Sequence, residues 1–483
     1  MGLKAKIARN ASIQIVSKVL STILGVFSVF LMTRYLGKFS YGEYTTIVTF
    51  LSIFAIIADL GLTLVTVQMI SHPENESQEN KILNNLFTLR LVSIVGLILL
   101  GPIIAIFLPY SATIKFGIFI AALSFIFPAL SQVLVALFQK KLTMDYVSWS
   151  EILSRIAMLA GVAISIYFKL GLNAILYSLV ISSALGFFIQ FYFSRKFTKI
   201  NLAWDFSVWK NVFKKSWPLA LTIIFNLIYL KTDTLILSLV KSQEEVGIYG
   251  AAYRVIDVLI TLPYMFCGIV LPILTAAWAA QNFSYFKIVF QKSYDFMIVL
   301  AVPFIIGAQF LSSEIMILVG GANFSDSGLA LQILIGAASL IFVSCIFAHA
   351  IIAVDKAKKT ISAYIFTAIT SLIGYLIFIP KYSYIGAAWV TIYSEATITF
   401  LLAYLAYRHT NFFPNNKIFF KSILASAFMA GFLWSLPKYF YQNTGGLFIT
   451  IISATIVYLL ALILLKAINK DDIKMFLLMK KNK

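Results

Sequence analysis

The chain has 483 residues, of which 61% are hydrophobic and only 12% charged, with a formal net charge of +19. Soluble domains carry about twice that charged fraction, so a soluble enzyme or scaffold is excluded. In a soluble protein the excess of Lys and Arg would point to nucleic acid; in an apolar chain the positive-inside rule accounts for it, and no nucleic-acid partner is expected. A helix crosses the hydrocarbon core with about 20 mostly apolar residues, and the pattern predicts an all-α polytopic membrane protein of about 14 transmembrane helices. In chain order the predicted spans are 11–33, 44–67, 84–107, 114–138, 147–168 and 172–193. After a basic connection come 217–240, 247–273, 292–311, 328–353, 361–379 and 384–407, and last 418–436 and 446–466. The longest connection, 194–216, is too short to fold as a domain.

The start of the chain is basic and runs into apolar sequence, as in a signal peptide. That run is too long and lacks a small-residue cleavage site, so it reads as a retained first span. On the span model Lys and Arg favour one side by about fourfold, which predicts an even number of spans with both termini cytoplasmic. The connection 194–216, with Trp204, Phe206, Trp209 and Phe213 among its basic residues, reads as an amphipathic helix on the inner leaflet. The tail after Lys466 invites the same reading.

Several features repeat. Gly42 and Tyr44 enter the second span as Gly247 and Tyr249 enter the eighth, and Gly171 enters the sixth as Gly386 enters the twelfth. The common order and similar offset predict a duplication: a first lobe at 1–200, a basic linker at 201–216, a second lobe at 217–410, and two extra spans with a basic cytoplasmic tail at 411–483. Parallel repeats of this kind are a known transporter plan.

Soluble-enzyme constellations are missing from the sequence: there is no Walker loop, no dinucleotide fingerprint and no His-Glu-x-x-His. His72, His349 and His409 form no metal-ligand spacing, and Cys267 and Cys345 make no disulfide framework. Neither an enzyme nor a cofactor is expected. The informative residues are ionisable groups inside spans, where charge is costly and faces the bundle interior or a water-filled path. They are Lys18, Asp59, Arg90, Arg155, Lys231, Asp233, Arg254, Asp257 and Glu395. Two readings stay open. Lys18, Arg90 and Arg155 snorkel to the headgroups or meet an anionic substrate; Lys231, Asp233, Arg254 and Asp257 form a structural ion-pair network or serve substrate and gate. Glu151, one turn before Arg155, can pair with it. Pro102, Pro128, Pro263, Pro272 and Pro303 can kink their helices.

Thr33-Arg34-Tyr35-Leu36-Gly37 and Tyr41-Gly42-Glu43-Tyr44 resemble the first outer loop of polysaccharide flippases of the O-antigen (Wzx) type. Asp59-Leu60-Gly61-Leu62 resembles the end of their second span. Lys231-Thr232-Asp233-Thr234, the run from Val246 to Arg254, and Leu271-Pro272 resemble their best-marked segment. The resemblance spans nearly the whole chain. It implies the fold of the multidrug/oligosaccharidyl-lipid/polysaccharide (MOP) superfamily, MATE-like, with two six-helix lobes plus two extra helices. It also implies transport of undecaprenyl-pyrophosphate-linked oligosaccharide across the bacterial cytoplasmic membrane by alternating access, for surface polysaccharide biosynthesis. Partners would then be the lipid-linked substrate, membrane lipids, an H+ or Na+ coupling ion and other glycan-assembly membrane proteins. Charge and depth assign Lys18, Arg90, Arg155, Lys231 and Arg254 to pyrophosphate or sugar, and Asp59, Asp233, Asp257 and Glu395 to gating or ion coupling. Competing expectations are a cation-coupled drug antiporter of the same superfamily and a flippase for another lipid-linked cell-wall precursor.

Overall fold

The computed structural model describes residues 3–59, 61–71 and 76–467. His72, Leu60 of the second-span motif and the basic tail beyond Ala467 lie outside them. The chain divides into two compact units, Met1–Gly247 and Ile248–Lys483. The first holds α1 (Leu3–Asp59), α2 (Leu62–Ser71), α3 (Glu76–Phe107), α4 (Ala112–Lys140), α5 (Asp145–Tyr167), α6 (Gly171–Ser194), α7 (Phe206–Val240) and the start of α8 (Gln243–Leu259). The second holds the rest of α8, then α9 (Thr261–Ala279), α10 (Phe283–Gly320), α11 (Ser327–Ala353), α12 (Ile361–Thr410), α13 (Lys417–Ser435) and α14 (Thr444–Leu464). Helices are what this composition demands, because lipid offers the backbone no hydrogen-bond partners. Polar side chains mark several starts: Ser111, Asp205, Asn282 and Asn443 each accept a backbone N–H from the first turn that follows.

Among the described residues, eleven helical stretches are long and apolar enough to cross a membrane. The helices do not map one-to-one onto the predicted spans. α1 carries two of them, 11–33 and the beginning of 44–67, and breaks at Gly37, whose φ of 67° suits a residue without a β-carbon. The remainder of that second span crosses a further break at Gly61 into α2. α12 carries 361–379 and 384–407 and folds back on itself at Ser383, so that Ser371 and Ser394 hydroxyls meet at 2.6 Å. The predicted span 247–273 is divided between α8 and α9 around Ile260. Pro263 explains that break: it has no N–H to give the Leu259 carbonyl one turn earlier.

The basic connection differs from a free-standing surface helix. α6 ends at Ser194, and the chain turns helical again at Phe206 as the beginning of α7. Phe206 and Phe213 lie exposed on one side, while Trp209 packs on the core and Val212 is fully buried. α7, read from sequence as the opening of the second lobe, packs against α1, α2 and α3 in the first unit.

The first unit's core includes Leu83, Leu86, Leu134, Phe138 and Phe187 from α3, α4 and α6. In the second, Phe286, Phe290 and Met297 of α10 meet Phe342 and Ile346 of α11 and Leu402 of α12. The last two helices attach to α10 through Leu311, Ala425, Met429, Leu433 and Tyr458, and the Tyr458 hydroxyl donates to the Val299 carbonyl at 2.9 Å.

Candidate functional site

In the first unit the predicted charges fall into two groups. On the seam of α1 and α5, Lys18 Nζ stands 3.4 Å from Glu151 Oε1, with the Lys18 side chain half exposed. Arg155, one turn along α5 from Glu151, is exposed, and its guanidinium lies over Gly25, two turns along α1 from Lys18. This seam presents two cations around one carboxylate, so it is net positive within predominantly apolar helices.

Arg90 and Asp59 form the second group, and it is buried. Arg90 pairs with Asp59 Oδ1 at 2.5 Å and donates to the Asp59 carbonyl at 3.3 Å. Its Nε donates to the Ala129 carbonyl at 3.1 Å, and its remaining nitrogen reaches Thr63 Oγ1 at 3.4 Å. Thr63 in turn donates to Asp59 Oδ1. One guanidinium thus caps the end of α1, bridges the break into α2 and ties both to α4. Its forked donors match that task.

The cytoplasmic ends predicted for α3 and α4 carry a third charged group, outside the spans. Glu79 bridges Lys140 at 2.7 Å and Lys141 at 3.4 Å. Next to it, polar residues of α3 hold the 198–205 connection. Asn80 accepts from the Thr198 hydroxyl, Asn84 from the Asn201 N–H, Thr88 from the Ala203 N–H and Asn85 from the Asp205 N–H. Lys81 closes the row with an ion pair to Asp205 at 2.7 Å. That lysine, followed by hydrogen bonds from Ser207, holds the Asp205 carboxyl well below the usual carboxylate range. Glu43, which the sequence marks only as part of the Tyr41–Tyr44 motif, is buried, and its carboxylate stands 3.5 Å from the Ser111 hydroxyl.

Lys231 and Asp233 sit on α7. Lys231 is half-buried and Asp233 fully buried, accepting from the Thr234 N–H. In the second unit Arg254 and Asp257 pair along one face of α8 at 3.5 Å, each about a third exposed. Glu395 on α12 is 2% exposed, and its Oε1 has no hydrogen-bond partner among the described residues. In the same unit, Cys267 of α9 meets Cys345 and His349 of α11, residues that sequence spacing alone does not bring together. The i,i+4 step from Cys345 to His349 was the available signal; the third member comes from another helix and leaves none.

The second unit also holds a cavity of about 380 Å³. Val255 and Leu259 of α8, Pro303 and Gly307 of α10, Met429 of α13, and Ala454 of α14 are among its lining residues, which are almost all apolar. It lies beside the helix that carries Arg254 and Asp257.

Comparison with known proteins extends these observations. The chain is 24% identical over 480 residues to the probable low-salt glycan biosynthesis flippase Agl15 of the archaeon Haloferax volcanii, covering 97% of this chain and 98% of the relative. It is also 24% identical over 408 residues to the probable flippase AglR of the same organism, covering 81% of each. In structure it is similar to the lipid II flippase MurJ in an inward closed conformation, with a TM-score of 0.78 at 18% identity, covering 92% of this chain and 97% of MurJ. An inward-facing MATE family transporter of the MOP superfamily matches with a TM-score of 0.64 at 12% identity, over 81% and 96% of the two chains. The fold is therefore the one shared by MurJ and MATE transporters. Residues 7–278 match the family model described as polysaccharide biosynthesis protein, and because that match covers more than half of the chain, this protein belongs to that family.

Proposed function

We propose that this protein is a flippase that carries a polyprenyl-pyrophosphate-linked oligosaccharide across the cytoplasmic membrane, undecaprenyl-linked in a bacterial host, by alternating access. The observation that carries the reading is the net-positive seam of Lys18, Glu151 and Arg155 within apolar helices. Cations there are expensive unless an anion meets them, and a diphosphate is an anion that Arg and Lys side chains hold well. Membership of the polysaccharide biosynthesis family and the names of the Haloferax relatives support a lipid-linked glycan as the cargo.

In this proposal the chain crosses the membrane fourteen times, with α1 and α12 each supplying two crossings and both termini cytoplasmic. Lys81, Lys140 and Lys141, with Glu79 and Asp205, stand at the ends assigned to the cytoplasm, where the positive-inside rule expects basic residues. Lys18, Arg155, Lys231 and Arg254 attend the headgroup. Arg90, with four of its donors engaged on Asp59, Thr63 and Ala129, acts as a clamp rather than a headgroup ligand, and Asp59 with it. Asp233, Asp257 and Glu395 remain the gating or coupling acids; the unpartnered, buried Glu395 carboxylate is a group that an H+ or Na+ would stabilise. The apolar cavity beside α8 receives part of the isoprenoid tail, its volume falling within the usual range of ligand pockets.

The decisive experiment is export of glycan to the surface in cells that depend on this chain. Lys18→Ala with Arg155→Ala, and separately Lys231→Ala or Arg254→Ala, should abolish surface glycan while leaving protein abundance in the membrane unchanged. Normal export by the Lys18→Ala/Arg155→Ala variant would refute the headgroup role of the seam.

A further inference from the structure

We propose that Cys267, Cys345 and His349 form a binding site for one thiophilic divalent cation of the zinc class, fastening α9 to α11 inside the second unit. One ligand atom from each residue lies within 4.8 Å of the others. Cys267 is fully buried and Cys345 nearly so, while His349 is half-buried. The site is built from two helices: Cys345 and His349 share a face of α11 one turn apart, and α9 brings Cys267 to them. His349 Nδ1 stands 2.8 Å from the Cys345 carbonyl and 3.6 Å from Cys345 Sγ. In the tautomer with its proton on Nδ1, that carbonyl accepts it and Nε2 is the basic nitrogen, an arrangement that metal-bound histidines favour.

Ligand chemistry selects the metal. Two sulfurs and an imidazole are a soft donor set that suits zinc and rejects calcium or magnesium, which demand oxygen. Charge selects it again. Each thiol releases its proton to water on binding, and two thiolates with one divalent cation sum to zero. A neutral complex tolerates an apolar interior, whereas a monovalent ion would leave a net charge there. Tetrahedral bonds of about 2.1–2.3 Å place neighbouring donors roughly 3.4–3.8 Å apart, so closing the cluster needs side-chain rotation rather than movement of either helix. Three protein donors leave a fourth position for water. The mechanical consequence follows from where α9 begins: it is separated from α8 at Ile260, and the metal would hold it to α11 independently of that break.

The test uses the full chain, purified in detergent with a non-thiol reductant and titrated with Co2+ as a spectroscopic stand-in for zinc. Wild type should take up equimolar Co2+ with a thiolate-to-metal charge-transfer band that Zn2+ abolishes. Cys267→Ser and Cys345→Ser should each lose the band, and His349→Ala should bind roughly tenfold more weakly or worse. A second measurement needs no variant: Zn2+ should slow alkylation of the two wild-type thiols by a membrane-permeant maleimide about tenfold or more, and a chelator should restore it. Absence of the band in wild type, its persistence in Cys267→Ser, or alkylation indifferent to Zn2+ would overturn the proposal. So would a Cys267–Cys345 disulfide in protein isolated without reductant.

Discussion

At the scale of single residues, the same type of charge does two jobs. Arg90 and Arg155 both lie in apolar helices, and their sequence contexts look alike. Arg90 spends its donors on Asp59, Thr63 and Ala129 in a buried clamp, while Arg155 stays exposed over Gly25. Removing one partner from a buried pair leaves the other charge stranded, at about 3–5 kcal/mol. Arg90→Ala should therefore lower the apparent Tm in detergent sharply, and Arg90→Lys should fall between it and wild type because an ammonium, with three donors on one nitrogen, cannot span the four acceptors the guanidinium reaches. An unchanged Tm in Arg90→Ala would show that Arg90 does not clamp these helices. Arg155→Ala should leave Tm where it is and act on export alone. Sequence could mark both arginines as buried-span charges. It could not separate them, because the distinction rests on Ala129 and Thr63, neither of which is unusual in its own segment.

Asp205 gives a residue-scale prediction in pH. Its carboxyl is held well below the usual carboxylate range by Lys81 and then by Ser207. For a depressed carboxyl the stabilisation is complete above the unfolded value, near about 3.9, and is lost only as pH falls through the lower folded value. Amide exchange of Asn201, Ala203 and Asp205, corrected for its intrinsic pH dependence, should therefore show constant protection between about pH 7 and pH 5. Asp205→Ala should accelerate it several-fold at neutral pH. Loosening of these amides already at about pH 6 would show that the Lys81 pair does not hold the connection.

At the scale of elements, glycine positions decide how closely helices meet. Gly42 on α1 faces Gly247 at the start of α8: a β-carbon on Gly42 would collide with the Gln243 carbonyl, and one on Gly247 with the Lys38 carbonyl. Thr46 donates to Gln243 Oε1 at 2.7 Å in the same crossing. Small residues let membrane helices approach to this distance, and backbone cannot yield as a side chain does. Gly42→Ala or Gly247→Ala should each destabilise by about 1–3 kcal/mol, read as a lower Tm. Unfolding of both variants like wild type would show that α1 and α8 are not in backbone contact at these glycines. Ser383 offers the opposite sign. It turns α12 back at a φ of 53°, a conformation costly for a residue with a β-carbon, so Ser383→Gly should be tolerated or stabilise the hairpin by up to about 1 kcal/mol.

The two glycines at 42 and 247 were legible as a repeated Gly-x-Tyr motif, and the hydropathy pattern located nearly every helix. What it could not show was where helices join without a loop. Gly37 and Ser383 interrupt α1 and α12 with one residue each, and one non-helical residue barely disturbs a hydropathy average. The strap of Asn80, Lys81, Asn84, Asn85 and Thr88 over the 198–205 connection was equally hidden. Those residues read locally as a polar helix end, and their partners lie more than a hundred positions away.

At the scale of the whole molecule, filling the apolar cavity tests its assignment to the isoprenoid tail. A void in a structural core and a groove for a lipid tail look the same when empty, but they respond differently to being filled. Gly307 lines the cavity, and a β-carbon there would meet nothing within 4 Å. Gly307→Leu should thus enter the space without collision, add buried apolar contact and raise Tm modestly, as cavity-filling substitutions commonly do; replacing a glycine inside α10 adds in the same direction. If the cavity were only a packing defect, export of glycan would be unaffected or improved. If it seats the isoprenoid chain, the same substitution should cut export several-fold while the protein becomes more stable and stays at wild-type abundance. Opposite movement of stability and transport separates a blocked groove from a damaged fold, since damage lowers both. The headgroup and the tail can then be tested independently: the Lys18 and Arg155 variants act through charge with the cavity intact, and Gly307→Leu acts through volume with every charge in place. A Gly307→Leu protein that is more stable and exports normally would leave the cationic seam standing and remove the cavity from the transport path.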